Sequence, residues 1–172
     1  MATHAVIKYH IPVFWDEEFK TLEYVQEPFN DPAAVKLWSK QGYSDKITGE
    51  LCDMRRRLPA CANKFVEIYT AQGWKDIGLA FYRMSTGTVM PVHQDTYKRY
   101  IKLFDLKGQE QSIQRALVFP EAWKSGHYLE VNGQAFVNWK AGDTIEWTYD
   151  TPHAAANIGL EDRYSLQITG HV

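Results

Sequence analysis

The feature that most restricts the fold is a change of period at Trp74. Before it, apolar residues recur at helical spacing; after it they alternate with polar ones in short runs separated by Gly, Pro and Asp. A helix buries a stripe whereas a strand buries every second residue, so the two halves demand different architectures. Helices first and strands second predict an α+β chain whose C-terminal half is a sandwich or barrel buttressed by helices on one outer face. At 172 residues the chain has the length of one domain. A single unit over 1–172 is therefore expected, with 1–73 as mostly helical support and 74–172 as the β core. Six Trp, ten Tyr and eight Phe suit strands and broad packing surfaces.

Local signals refine this outline. Residues 5–10 read as an opening strand. Asp31 and Pro32 supply an N-cap and a first-turn proline for a helix that Gly42 stops, with Val35 and Trp38 sharing a face. Ile47, Leu51, Met54 and Leu58 form one helical stripe ended by Pro59, which predicts a second helix; Phe65, Ile68 and Tyr69 predict a third, closed by Gly73. Strands are expected at 77–84, 100–106, 113–119, 127–131, 134–137, 143–149 and 163–169, with short pieces around His93 and His153. Asn132 and Gly133 are a two-residue hairpin signal.

Charge and cysteine content exclude several classes. Net charge is −2, so no global field draws nucleic acid or anionic lipid, and Arg55, Arg56 and Arg57 read as a solvated helix face. No apolar run approaches the roughly 20 residues of a membrane span, and the first residues carry no export pattern. Cys52 and Cys61 match neither a metal pair nor a disulfide framework, so free thiols in a cytoplasmic protein are expected.

Chemistry concentrates after Pro91. His93 and Asp95 stand two apart in an extended segment, so both side chains aim to one side. His153, behind Pro152, offers a third ligand. Two histidines and a carboxylate cover one face of an octahedral metal and leave three positions open, as in non-haem Fe(II) oxygenases. Further on, Arg163, Ser165, Gln167 and Thr169 alternate with Tyr164, Leu166 and Ile168, which puts Arg163 and Ser165 on one face of a strand. Facing a cavity, that guanidinium needs an anion, and its planar fork suits a carboxylate.

In this set the sequence resembles the 2-oxoglutarate- and Fe(II)-dependent oxygenases, whose fold is a double-stranded β-helix or jelly roll. The pattern His-x-Asp, a distal His and an Arg-x-Ser ten residues later is matched by His93, Asp95, His153, Arg163 and Ser165, within a stretch from Ile77 to Gly170. The run Trp139 to Asp143, followed by an aromatic strand and Pro152 with His153, is similar to aspartyl/asparaginyl β-hydroxylases and prolyl hydroxylases. The resemblance implies Fe(II) on the triad and 2-oxoglutarate chelating it, with the C5 carboxylate held by Arg163 and Ser165. Dioxygen is then consumed with release of succinate and carbon dioxide, and an unactivated C–H bond is hydroxylated. Asp95 favours hydroxylation over halogenation.

Two further residues are candidates for the cosubstrate. Arg115 matches an arginine near the C1 carboxylate in the similar strand of aspartyl hydroxylases, or else forms a surface ion pair. Tyr82 either donates its hydroxyl into the cavity or simply packs. Trp147 is a candidate pocket wall that excludes water, and Trp123 and Trp139 are expected to pack around the barrel. Structural roles are expected for His4, His10, His127 and His171. A small molecule or a peptide is the expected substrate, and homodimerisation is allowed for. The competing readings are a cupin-type metalloprotein without 2-oxoglutarate and a non-catalytic jelly-roll binding module.

Overall fold

The computed structural model describes residues 5–172. In chain order it contains β1 (Val6–His10), a 3-10 turn (Glu17–Thr21), β2 (Val25–Gln26), α1 (Pro32–Lys40), β3 (Glu50–Asp53), α2 (Ala62–Ala71), β4 (Lys75–Met84), β5 (Val89–His93) and α3 (Lys98–Leu103). A second 3-10 turn (Glu110–Ser112) precedes β6 (Ile113–Val118), β7 (His127–Val131), β8 (Gln134–Phe136), β9 (Asp143–Thr148), β10 (His153–Asn157) and β11 (Arg163–His171).

Seven strands form one sheet in the order β1-β9-β6-β11-β4-β3-β2, and four form a second in the order β5-β10-β7-β8. All pairings are antiparallel. The architecture is a double-stranded β-helix with N-terminal helices on its flank.

Alternation in the central strands sorts side chains between two cores. Leu79 and Phe81 of β4, Ala116 and Val118 of β6, and Leu166 and Ile168 of β11 face outward and pack with Phe65 and Tyr69 of α2. Their neighbours Leu117, Phe119, Ile145 and Trp147 face inward and meet Leu129, Val131 and Phe136 from the smaller sheet. Burying each such aliphatic or aromatic side chain contributes about 1.5–3 kcal/mol, so both faces of the large sheet stabilise the fold.

Several local expectations hold. Asp31 caps α1 by accepting from the Ala34 N–H, and Pro32 opens the helix. Asn132 and Gly133 both take positive φ, 50° and 78°, in the turn joining β7 to β8, where Val131 pairs Gln134.

Two elements differ from the sequence reading. Residues 47–58, expected as a helix, instead supply β3, which pairs with β4 through Leu51 and Tyr82 and through Cys52 and Phe81. A ready-made sheet edge there satisfies the backbone better than an isolated helix, and Met54, part of the supposed stripe, is 56% exposed. Residues 100–106, expected as a strand, lie largely in α3. Tyr97, Tyr100, Ile101 and Phe104 have helical spacing and pack with Leu106 and Ile113. The stretch 1–73 thus holds not only α1 and α2 but also β1, β2 and β3, which extend both edges of the large sheet.

Candidate metal centre

His93 closes β5 and His153 opens β10, and the two residues pair directly across the antiparallel ladder. That register places their rings 4.3 Å apart between centroids. Asp95, just past the end of β5, completes the group: its Oδ1 lies 3.6 Å from His93 Nε2 and its Oδ2 lies 3.6 Å from His153 Nε2. All three ligand atoms fall within 4.8 Å of one another, a cluster capable of coordinating a metal ion.

The backbone fixes the tautomers. His93 Nδ1 stands 2.8 Å from the Pro91 carbonyl and His153 Nδ1 stands 3.0 Å from the Thr151 carbonyl. A carbonyl only accepts, so both Nδ1 atoms carry hydrogen and both Nε2 lone pairs face the cluster. Burial pushes His153 down to about 4, partly opposed by Asp95, so its imidazole is neutral near pH 7. Burial alone would raise Asp95, but its neighbours His153, Arg115 and His93 together hold its carboxyl well below the usual range. The donor set is a carboxylate and two imidazole Nε2 atoms turned to one point, groups that a divalent metal takes.

Phe29 and Trp38 close over His93 edge-on, at 5.1 and 6.0 Å between ring centroids. Trp147 stands 5.1 Å from His153 and walls the cavity, as expected from the sequence.

From the cluster a cavity of about 210 Å³ runs inward past Leu117, Leu129, Met84 and Tyr82 to Arg163 and Ser165. The register of β11 against β4, Arg163 with Met84 and Ser165 with Tyr82, puts these four side chains on the inner face. Arg163 is 1% exposed and, among the described residues, no carboxylate pairs with it. Its Nη1 rests 3.3 Å from Met84 Sδ, and its guanidinium lies 5.9 and 5.6 Å from the Phe119 and Trp139 rings. Among the described residues Nε and Nη2 have no hydrogen-bond partner, and neither has the buried Ser165 hydroxyl. Desolvation lowers Arg163 to about 10, which still leaves it charged near neutrality. A buried cation beside an idle hydroxyl, at the end of a cavity, has the chemistry to take an anion.

Tyr82 lines the same cavity, with its hydroxyl accepting from the Gly49 N–H at 2.7 Å and bonded to Thr48 Oγ1 at 2.9 Å. Gly49 permits this approach because a Cβ there would sit 2.7 Å from the Tyr82 ring and closer still to the Arg83 carbonyl. Arg115 stands at the metal end. Nη2 donates to Asp95 Oδ2 at 3.0 Å, Nη1 to Gln167 Oε1 at 2.9 Å and Nε to the Tyr97 hydroxyl at 3.3 Å. It therefore orients the carboxylate of the cluster.

The remaining candidates lie elsewhere. His10 meets Asp143, His171 meets Asp76, and His127 meets the Glu161 carbonyl. His4 is outside the described residues. Arg55, Arg56 and Arg57 occupy the turn after β3 and pair with Glu27 and Asp53, Glu23, and Glu18 respectively. Cys52 and Cys61 are unpaired. Among the described residues no helix is long and apolar enough to cross a membrane. Sequence reasoning missed Phe29, Trp38 and Tyr97, whose approach to the site is purely tertiary; Gln167 was visible as part of the polar face of β11.

No protein-family model and no curated protein matches the chain. Among solved structures it is similar to a Pseudomonas putida prolyl-4-hydroxylase, with 15% identity and a TM-score of 0.62 over 98% of this chain and 93% of that one. It is also similar to a predicted oxalate decarboxylase from Thermotoga maritima, with 14% identity and a TM-score of 0.42 over 72% of this chain and 81% of that one. At 15% identity the first likeness speaks to the fold alone, and it agrees with the double-stranded β-helix described above.

Proposed function

We propose that this chain is an Fe(II)- and 2-oxoglutarate-dependent oxygenase that hydroxylates an unactivated C–H bond. The observation that carries the reading is Arg163, buried without a carboxylate, sharing one cavity with the His93, Asp95 and His153 cluster. A metal site alone accounts for the three ligands but gives no reason to bury a guanidinium and an idle Ser165 hydroxyl beyond them.

In this reading His93, Asp95 and His153 hold iron, and Arg163 with Ser165 binds the C5 carboxylate of 2-oxoglutarate through charge-assisted hydrogen bonds. Tyr82, tethered by Thr48 and Gly49, fixes the width of the cavity beside that carboxylate. Arg115 keeps Asp95 oriented, and Trp147, Leu117 and Leu129 give the cavity apolar walls that would keep water out once 2-oxoglutarate fills it. Bound there, iron with 2-oxoglutarate and dioxygen supplies oxidative decarboxylation to succinate and carbon dioxide, coupled to hydroxylation. The carboxylate of Asp95 occupies the position a halide would need, which favours hydroxylation. The whole chain acts as one domain, and the free thiols of Cys52 and Cys61 suit the reducing cytoplasm.

The test is anaerobic addition of Fe(II) and 2-oxoglutarate. A visible charge-transfer band is expected in the wild type and absent from His93→Ala and His153→Ala. Folded, iron-loaded wild type without the band refutes the proposal.

A further inference from the structure

Beyond Arg115 and Gln167 the inner face of the large sheet continues into a second, open cavity of about 730 Å³ that shares both residues with the metal cavity. Its floor is made of small side chains. Gly78 pairs with Thr169 and Ala80 with Gln167 on the inward-facing rows of β4 and β11, and a Cβ at Gly78 would meet nothing within 4 Å. The segment from Thr96 to Phe104 forms one wall and the turn after β3 forms the other. Met54 and Leu103, 56% and 68% exposed, give the rims apolar contact surface.

Basic residues outnumber carboxylates in the lining, with Arg55, Lys98, Arg99 and Arg115 against Asp53 and Asp76. Asp53 is engaged by Arg55 and Asp76 by His171, whereas among the described residues Lys98 and Arg99 form no ion pair. The Thr96 hydroxyl oxygen is buried at the same wall with no hydrogen-bond partner among the described residues. Arg115 uses one donor each on Nε, Nη1 and Nη2, so two N–H groups of its fork remain for a ligand.

We propose that this trough binds the substrate as an acidic peptide segment in extended form, delivering one residue past Arg115 to the metal. The inference rests on the oxygenase reading for the word substrate. A free amino acid would leave most of the roughly 730 Å³ trough empty, whereas an extended peptide segment can reach both the Met54 rim and the Leu103 rim. Nucleic acid fits poorly as well, since phosphate-tracking proteins make roughly 6–10 cationic contacts whereas only Lys98 and Arg99 are unpaired here. Apolar rims beside two free cations suit a chain that mixes carboxylate and apolar side chains.

The test is fluorescence anisotropy on the full chain under nitrogen, with and without Fe(II) and 2-oxoglutarate. The probes are short fluorescein-labelled peptides alternating leucine with glutamate or leucine with lysine, and a labelled oligothymidylate. Wild type is expected to bind the glutamate peptide at least about tenfold more tightly than the lysine peptide. Lys98→Glu with Arg99→Glu reverses that order, and Gly78→Leu, which fills the floor, weakens glutamate-peptide binding at least about tenfold. Equal affinity for the two peptides, tighter binding of oligothymidylate, or competition by free glutamate as effective as by peptide overturns the proposal. The visible band recorded in the same samples separates the two ideas. A band without peptide selectivity removes the trough assignment alone, and selectivity without a band removes the oxygenase reading.

Discussion

Replacing Arg163 by methionine is expected to stabilise the ligand-free protein while abolishing its response to 2-oxoglutarate. Two guanidinium nitrogens lack partners, and each such buried group costs about 1–3 kcal/mol when dry. The 210 Å³ cavity admits water, which relieves most of that cost. Contacts with the Phe119 and Trp139 rings return roughly 0.5–2 kcal/mol to the arginine. Methionine removes the charge, keeps an unbranched side chain of similar reach and leaves a net gain of about 1 kcal/mol, or ~2–4 °C in Tm for a chain of this size. Wild type instead gains about 2.7 kcal/mol from a ligand at a hundred times its Kd. The order of melting temperatures therefore inverts. With Mn(II) in place of iron and circular dichroism as the readout, Arg163→Met melts above wild type without 2-oxoglutarate and below it with a saturating amount. A variant that melts below wild type when both are ligand-free, or that gains equally from 2-oxoglutarate, refutes the claim that the cavity stores an unpaired cation for an anion.

Three further outcomes are expected. Arg115→Met releases Asp95 Oδ2 and lowers Mn(II) affinity about 10–100-fold in a calorimetric titration, with the fold retained by circular dichroism. Gly49→Ala forces a Cβ against the Tyr82 ring and the Arg83 carbonyl, and urea unfolding should show a loss of about 1–3 kcal/mol. Burial, opposed by the bond to the Glu161 carbonyl, pushes His127 below its ordinary 6.5, so the unfolded chain takes up its proton first. Stability is then full above about pH 6.5 and falls as the pH drops toward the folded value; urea titrations across that window should show a flatter dependence in His127→Gln than in wild type.

What could be read in advance follows from how local each signal is. Alternation in β11 sufficed to put Arg163 and Ser165 on one face, and Asp31 with Pro32 sufficed to start α1, because both depend on neighbouring residues. The direct pairing of His93 with His153 depends on strands that meet only after folding, so the sequence offered the ligands without their register. Arg115 was visible as a candidate, yet its attachment to Asp95 arises from β6 of the large sheet facing the end of β5 in the small one and could not be seen along the chain. Leu51 and Met54 matched a helical stripe, but the free edge of β4 captured that segment as a strand. In α3 the error ran the other way. Tyr100 and Phe104, four apart with rings 4.8 Å between centroids, are a helical pair that resembled a strand only when read two residues at a time.

The two-sided character of β11 has a consequence for how such a protein can change. Leu166 and Ile168 answer to α2 and the outer core, while Arg163, Ser165 and Gln167 face the space between the sheets. The strand thus carries two nearly independent texts, one written in odd positions and the other in even. Chemistry can be rewritten at 163, 165 and 167 with the scaffold intact, provided the count stays in step. A single inserted residue within β11 would exchange the two texts and turn the contents of the pocket into the contents of the core.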